Sequence, residues 1–163
     1  MKGLVLYRSY HGNTTQVAES IAGQFRALQH EAGVHDLRRR LPDLSRVDVI
    51  VIGSPTRMAR VNRKARRVLK RLSKKGFAGK PIAVFDTYGP VPSNPEELEK
   101  GRKWLYPGAA DILQQTAKSL GLNVYSETLR CEVQGMKGPL KEKELDKAVV
   151  FTNNFLSTIG KKS

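Results

Sequence analysis

The chain has 163 residues with one cysteine and three histidines, and its 29 Lys and Arg against 15 Asp and Glu give a formal charge of +14. That length is enough to bury a core without disulfides or metal, so one domain over residues 1–163 is expected, and a lone cysteine excludes an internal disulfide framework. No apolar run reaches the ~18 residues of a membrane span and residues 1–7 are too short for a signal peptide, so we expect a soluble, cytoplasmic protein with no membrane contact and with anionic partners.

Residues 3–7 are a continuous apolar run of strand length, and Val17, Ile21, Ala22, Phe25 and Leu28 recur at helical spacing, which predicts a helix over residues 14–30. Between the two lies the turn Ser9-Tyr10-His11-Gly12-Asn13-Thr14-Thr15. A helix beginning near Thr14 aims its first N–H groups and the positive end of its dipole at that turn, which favours an anion there. Gly12 lets the backbone come close, and Ser9, Asn13, Thr14 and Thr15 offer side-chain donors. The same residues also read as a plain helix start capped by Asn13 or Thr14. A short, weak strand follows at residues 33–37, a single turn within residues 38–46, and the strongest strand of the chain at residues 47–53.

From Arg57 to Lys80 there are eleven basic residues and no acidic one. Ala65, Val68, Leu69 and Leu72 form an apolar stripe, while Arg63, Lys64, Arg66, Arg67, Lys70, Arg71, Lys74 and Lys75 occupy the remaining surface. This predicts a helix over residues 62–75 with a basic outer face. A fourth strand, residues 81–86, opens on a proline, where the missing N–H is tolerable. The long segment 90–108 then carries a short helix over residues 96–105 together with Trp104 and Tyr106, and connections of that length are often functional. A helix over residues 109–120, ended by Gly121, leads to a fifth strand over residues 122–133, split or bent around Ser126-Glu127. Cys131 reads there as a small core residue. A final helix over residues 141–159 turns Leu145, Ala148, Val149, Phe151 or Thr152, Phe155 and Leu156 inward.

Such alternation of apolar strands and helices predicts a mostly parallel sheet covered on both faces. Ligands of open parallel sheets sit beyond the carboxyl ends of the strands, so the loops after strands one, three and four belong together. They are the Ser9 to Thr15 turn, Ser54-Pro55-Thr56-Arg57-Met58-Ala59-Arg60, and Thr87-Tyr88-Gly89-Pro90-Val91-Pro92. No Walker lysine follows the first turn and no Gly-x-Gly-x-x-Gly occurs. No Ser–His–Asp or paired-carboxylate set can be assembled at the strand ends, so redox or group-transfer chemistry would fall to a cofactor.

In order, the three loops resemble those of the flavodoxin family. Ser9-Tyr10-His11-Gly12-Asn13-Thr14 is similar to the family's hydroxyl-x-x-Gly-x-Thr turn for the phosphate of flavin mononucleotide (FMN). Gly53-Ser54-Pro55-Thr56 resembles the start of the loop beside the isoalloxazine ring, and Asp86-Thr87-Tyr88-Gly89 the loop on its other side, where an aromatic ring commonly stacks. The wording is closer to the flavodoxin domains of flavodiiron-type proteins and to archaeal and bacterial flavodoxin-like proteins than to the acidic electron carriers. The resemblance covers nearly the whole chain, including the turn Gly135-Met136-Lys137-Gly138-Pro139.

The resemblance implies a flavodoxin-like three-layer α/β sandwich with a five-stranded parallel sheet of order 2-1-3-4-5, and FMN as cofactor. Ser9, Tyr10, His11, Gly12, Asn13 and Thr14 would then hold the phosphate. Ser54, Pro55, Thr56, Arg57 and Met58 would flank one side of the ring, and Asp86, Thr87, Tyr88 and Gly89 the other, with Tyr88 stacking. Neither a catalytic residue nor a metal site is implied. His11 keeps the alternative of a solvated loop histidine, and Tyr88 that of a surface aromatic closing its loop. Two departures stand out. Arg57-Met58-Ala59-Arg60 lacks the aromatic and the glycine that the family often places near the ring's N5, and methionine or alanine adopts positive φ at greater cost than glycine. The insertion 90–108 is long, and its Trp104 covers the flavin, shapes a second-substrate pocket, or packs into the insertion's own small core.

Three functions fit these observations. The one we favour is an FMN-binding electron carrier whose basic helix docks an acidic redox partner such as ferredoxin through Arg60, Arg63, Arg66, Arg67, Lys70 and Arg71. A merely solvated basic face is the plain alternative to that docking role. The second function is an FMN-dependent NAD(P)H or quinone reductase, with Arg57, Arg60 or Trp104 shaping the substrate site. The third is a flavodoxin-like scaffold binding nucleic acid through the basic helix, which lacks the interleaved aromatics that stack on bases. The chain is expected as a monomer or homodimer, with like basic faces opposing close association.

Overall fold

A computed structural model describes residues 1–77 and 79–162. The elements run β1 (Lys2–Tyr7), α1 (Asn13–Ala27), β2 (Glu31–Asp36), β3 (Val49–Pro55), α2 (Arg63–Lys74), β4 (Ile82–Tyr88), α3 (Pro95–Leu105), α4 (Ala109–Ser119), β5 (Val124–Glu132) and α5 (Glu144–Lys162). All strand pairs are parallel, and the sheet order is β2-β1-β3-β4-β5, as the resemblance implies. β1 and β3 sit beside each other in the middle of the sheet and run in the same direction, so their carboxyl ends open onto one edge together with that of β4.

The core has two halves because β3 and β4 are apolar on both faces. Val49, Val51, Ala83 and Phe85 point to the layer of α1 and α5, where Val17, Ile21, Phe25, Ala148, Phe151 and Phe155 meet them. Ile50, Ile52, Ile82 and Val84 point the other way, onto Ala65, Val68, Leu69 and Leu72 of α2 and Ala110, Leu113 and Ala117 of α4. The apolar stripe read in the basic helix is therefore its buried face, and the arginines and lysines around it are exposed.

The departures from expectation lie at element ends and at the sheet edge. β2 pairs only with β1, so past the exposed Glu31 its residues are half-buried rather than covered on both faces, and it spans Glu31–Asp36 instead of residues 33–37. α1 stops at Ala27 because Gln29 turns left-handed with φ 67°, and Leu28, expected on the apolar stripe, is exposed. α5 begins at Glu144 rather than residue 141, since Lys143 has φ 70° and the Lys141 N–H bonds back to Glu132. Leu145, expected inside, is exposed on its first turn. β5 is one strand whose pairing shifts register between Ile82↔Val124 and Val84↔Thr128, which puts the irregularity at the Ser126-Glu127 bend.

Candidate functional site

α1 starts on Gly12, whose φ of 89° is a conformation that side-chain-bearing residues resist, and no side chain caps the helix. The reading of Asn13 or Thr14 as a simple cap is thereby corrected. The Ser9 Oγ accepts the Gly12 N–H at 3.0 Å, which closes the turn. Thr14 is buried and its hydroxyl meets that of Thr87 at 2.8 Å, so the first and third loops are joined under the turn. Among the described residues, nothing accepts the N–H groups of Asn13, Thr14 and Thr15. Three unpaired donors at the positive end of a helix dipole make a cradle for a phosphate. His11 is exposed above it, and Tyr10 lies between the Arg8 and Arg57 guanidinium groups, each 4.6 Å from its ring centre.

The second loop is held from three directions. Ser54 is fully buried and does not face the open space; its hydroxyl donates to the Pro55 carbonyl and accepts the Asn62 N–H, both at 2.9 Å. Asn62 caps α2 by accepting the Lys64 N–H at 2.8 Å, and its Nδ2 donates to the Tyr10 hydroxyl at 2.8 Å. Between them, Arg57 and Arg60 close a tight turn whose central residues Met58 and Ala59 both have positive φ, 51° and 56°. This non-glycine pair adopts a conformation that costs methionine and alanine more than glycine, and the Ala59 N–H donates to the Trp104 carbonyl at 2.8 Å, so the insertion holds the turn.

Asp86, expected beside the cofactor, is wholly buried beneath the loops instead. Its carboxylate accepts from the Arg130 Nε at 3.0 Å, the Thr56 hydroxyl at 3.0 Å and the Ala110 N–H at 3.1 Å. Burial pushes the Asp86 carboxyl up, and the Arg130 guanidinium and the Ala110 N–H pull it back down. Arg130 also donates to the Leu105 carbonyl at 3.1 Å, and its guanidinium carbon lies 3.8 Å from the centre of the Tyr88 ring. The close packing explains Gly108, where a Cβ would come within 2.3 Å of Arg130. Burial raises the Tyr88 hydroxyl to about 12, so it stays a neutral donor in ordinary buffers. Nothing in the periodicity of β5 marked Arg130, which is one of three charged residues in that strand beside Glu127 and Glu132.

These loops enclose a cleft of about 780 Å³, within the range of small-molecule sites. Ser9, Tyr10, His11, Asn13 and Thr14 line one end; Pro55, Thr56, Arg57 and Met58 one wall; Thr87, Tyr88 and Gly89 the other. Of the residues expected to bind cofactor, Gly12, Ser54 and Asp86 are outside this lining: Gly12 shapes the turn, and the other two brace it from below. Trp104 is 46% exposed and lines the cleft with Pro92, Gly101 and Leu105, which removes the alternative of an insertion core. Cys131 is buried and lies outside it.

The donor set fits FMN. An uncapped helix start offers a phosphate three N–H groups, and Tyr88 and Trp104 are among the residues lining the cleft of about 780 Å³. Among the described residues no cluster suits a metal ion, and no helix is long and apolar enough to cross a membrane.

Comparison with known proteins agrees. No curated protein sequence matches the chain. Its fold matches oxidised flavodoxin 1 from Bacillus cereus at 24% identity and a TM-score of 0.72, over 96% of this chain and 98% of that one. A flavodoxin from the Archaea superposes with a TM-score of 0.75 at 19% identity, over 98% and 99% of the two chains. Rubredoxin oxygen:oxidoreductase from Desulfovibrio gigas gives a TM-score of 0.76 at 13% identity, covering 99% of this chain and 36% of that one. The family description "Flavodoxin domain" matches residues 4–148, and the chain belongs to that family, whose members bind FMN.

Proposed function

We propose that this protein is an FMN-dependent electron carrier that docks an acidic redox partner through α2. The observation that carries the reading is the single cleft in which the uncapped start of α1, the Arg57 to Arg60 turn and the Tyr88 loop meet. FMN, when bound, supplies the redox chemistry by taking up and releasing electrons. The N–H groups at the start of α1 hold its phosphate, and Tyr88, backed by the Arg130 guanidinium, offers a flat face to its ring. Arg57, exposed on the opposite wall, places positive charge beside the ring and favours the electron-rich form.

Arg60, Arg63, Arg66, Arg67, Lys70 and Arg71 are all exposed, and the α2 cap Asn62 is bonded to Tyr10 at the cleft. A partner drawn to α2 therefore arrives close to the cofactor. Long-range attraction of this kind raises the association rate and is screened by salt. The test is rapid-mixing reduction of the FMN-loaded protein by an acidic ferredoxin across a range of ionic strength. The expected result is a second-order rate that falls steeply with salt, and falls at low salt when Arg63, Arg66 and Lys70 are changed together to Gln. A rate insensitive to both would remove the docking role. Rapid oxidation of NADPH by the protein alone would make it a reductase instead.

A further inference from the structure

A second recess, of about 240 Å³, lies between the turn after β2 and the side of α2, and it shares no lining residue with the FMN cleft. Its apolar parts are Leu37, Leu41 and Val68. Around them stand six cations: Arg38, Arg39 and Arg40 from the turn, and Lys64, Arg67 and Arg71 from α2. Both rows have a structural origin. Residues 64, 67 and 71 fall on one helical face, and the turn is fixed by Asp36, whose carboxylate accepts the Arg38 N–H at 2.9 Å and whose carbonyl accepts the Arg39 N–H at 3.0 Å.

The charge balance of the recess is unusual. Asp36 neutralises Arg38 through a 2.8 Å bond from Nε. Among the described residues, no ion pair is made by Arg39, Arg40, Lys64, Arg67 or Arg71. Five uncompensated cations facing one small concavity repel each other, so the arrangement costs folding energy and contributes none through pairing. An anion seated there reverses the sign of that term. Four of the five are arginine and the fifth is Lys64, with arginines on both walls, and the guanidinium fork matches phosphate oxygens two at a time. One carboxylate would leave most of the charge standing. At about 240 Å³ the recess is too small to track a nucleic-acid strand.

We propose that this recess binds a small molecule carrying a diphosphate group, with Arg39, Arg40, Lys64, Arg67 and Arg71 as its ligands. It is a separate site from the FMN phosphate cradle and does not depend on the redox reading.

The test uses protein saturated with FMN, so that the start of α1 is filled, and titrates inorganic pyrophosphate, ADP and orthophosphate by calorimetry at moderate salt. One pyrophosphate per chain is expected, bound roughly tenfold or more tighter than orthophosphate. The double variants R39Q/R40Q and R67Q/R71Q should each weaken it by roughly tenfold, since each removes two charge-assisted contacts. R63Q/R66Q, with the same loss of charge on the neighbouring row of α2, should change it by less than about threefold. All of these side chains are exposed, so the variants should fold, which thermal melting without ligand verifies. ADP binding with the same dependence on the variants would mark a nucleotide as the ligand; pyrophosphate binding without ADP would mark the free diphosphate. Equal losses in all three variants, absence of stoichiometric uptake, or tighter binding of single-stranded RNA that every variant weakens alike would each overturn the proposal.

Discussion

Asp86 and Arg130 form the pair on which the loops around the cleft rest. Removing the carboxylate leaves a guanidinium whose side chain is only 15% exposed without its partner, and strands the Thr56 hydroxyl and the Ala110 N–H as well. Asp86→Ala should therefore lower stability by about 3–5 kcal/mol in urea denaturation, and a loss below about 1 kcal/mol would contradict the role given to the pair. Ala59 makes the opposite case. It sits at φ 56°, where glycine is free of strain, so Ala59→Gly should be neutral or stabilise by up to about 1 kcal/mol by the same measurement, against the usual penalty for adding glycine. The resemblance named Asp86 but gave it the wrong surroundings, because a motif preserves position in the chain and says nothing about burial. Arg130 was not legible at all: its partner is 44 positions away and no periodicity connects them.

At the level of elements, the strands and helices were legible wherever apolar spacing ran long, as in β3 and along the buried face of α2. Their ends were not, because ends are set by single backbone conformations such as those of Gln29 and Lys143, which no periodicity reports. The start of α2 shows how much one end carries. Asn62 caps the helix, bonds Ser54 and reaches Tyr10, so Asn62→Ala should cost about 1 kcal/mol in denaturation and also weaken FMN binding by loosening Tyr10. In β5, burial raises the Cys131 thiol from an ordinary 9.0 to about 12. The unfolded chain ionises first, so this contribution is intact below about pH 9 and is lost as pH climbs toward about 12. The fall in urea midpoint over that alkaline range should be shallower in Cys131→Ala than in the natural protein; identical slopes would show that the thiol does not contribute.

On the scale of the whole molecule, a familiar parallel sheet carries an unfamiliar charge. The +14 resides largely on exposed side chains, so it leaves the core untouched and acts on what approaches. That basic surface was fully legible in the sequence. Its division was not: the outward row of α2 and the row facing Arg39 and Arg40 become distinct only when the turn after β2 is brought against the helix. The cleft was legible as three loops in order, and the insertion's part in it was not, since the bond from Ala59 to the Trp104 carbonyl joins backbone to backbone.

The central claim is that the start of α1 and the Tyr88 loop hold FMN, and the most direct test is titration of the purified protein with FMN, followed by flavin fluorescence and absorbance. One FMN per chain should bind with strong quenching, and the Gly12→Val variant, forced away from φ 89°, should bind at least roughly tenfold more weakly while melting within a few degrees of the natural protein. Unquenched flavin at stoichiometric concentrations, or uptake that Gly12→Val leaves unchanged, would contradict the account.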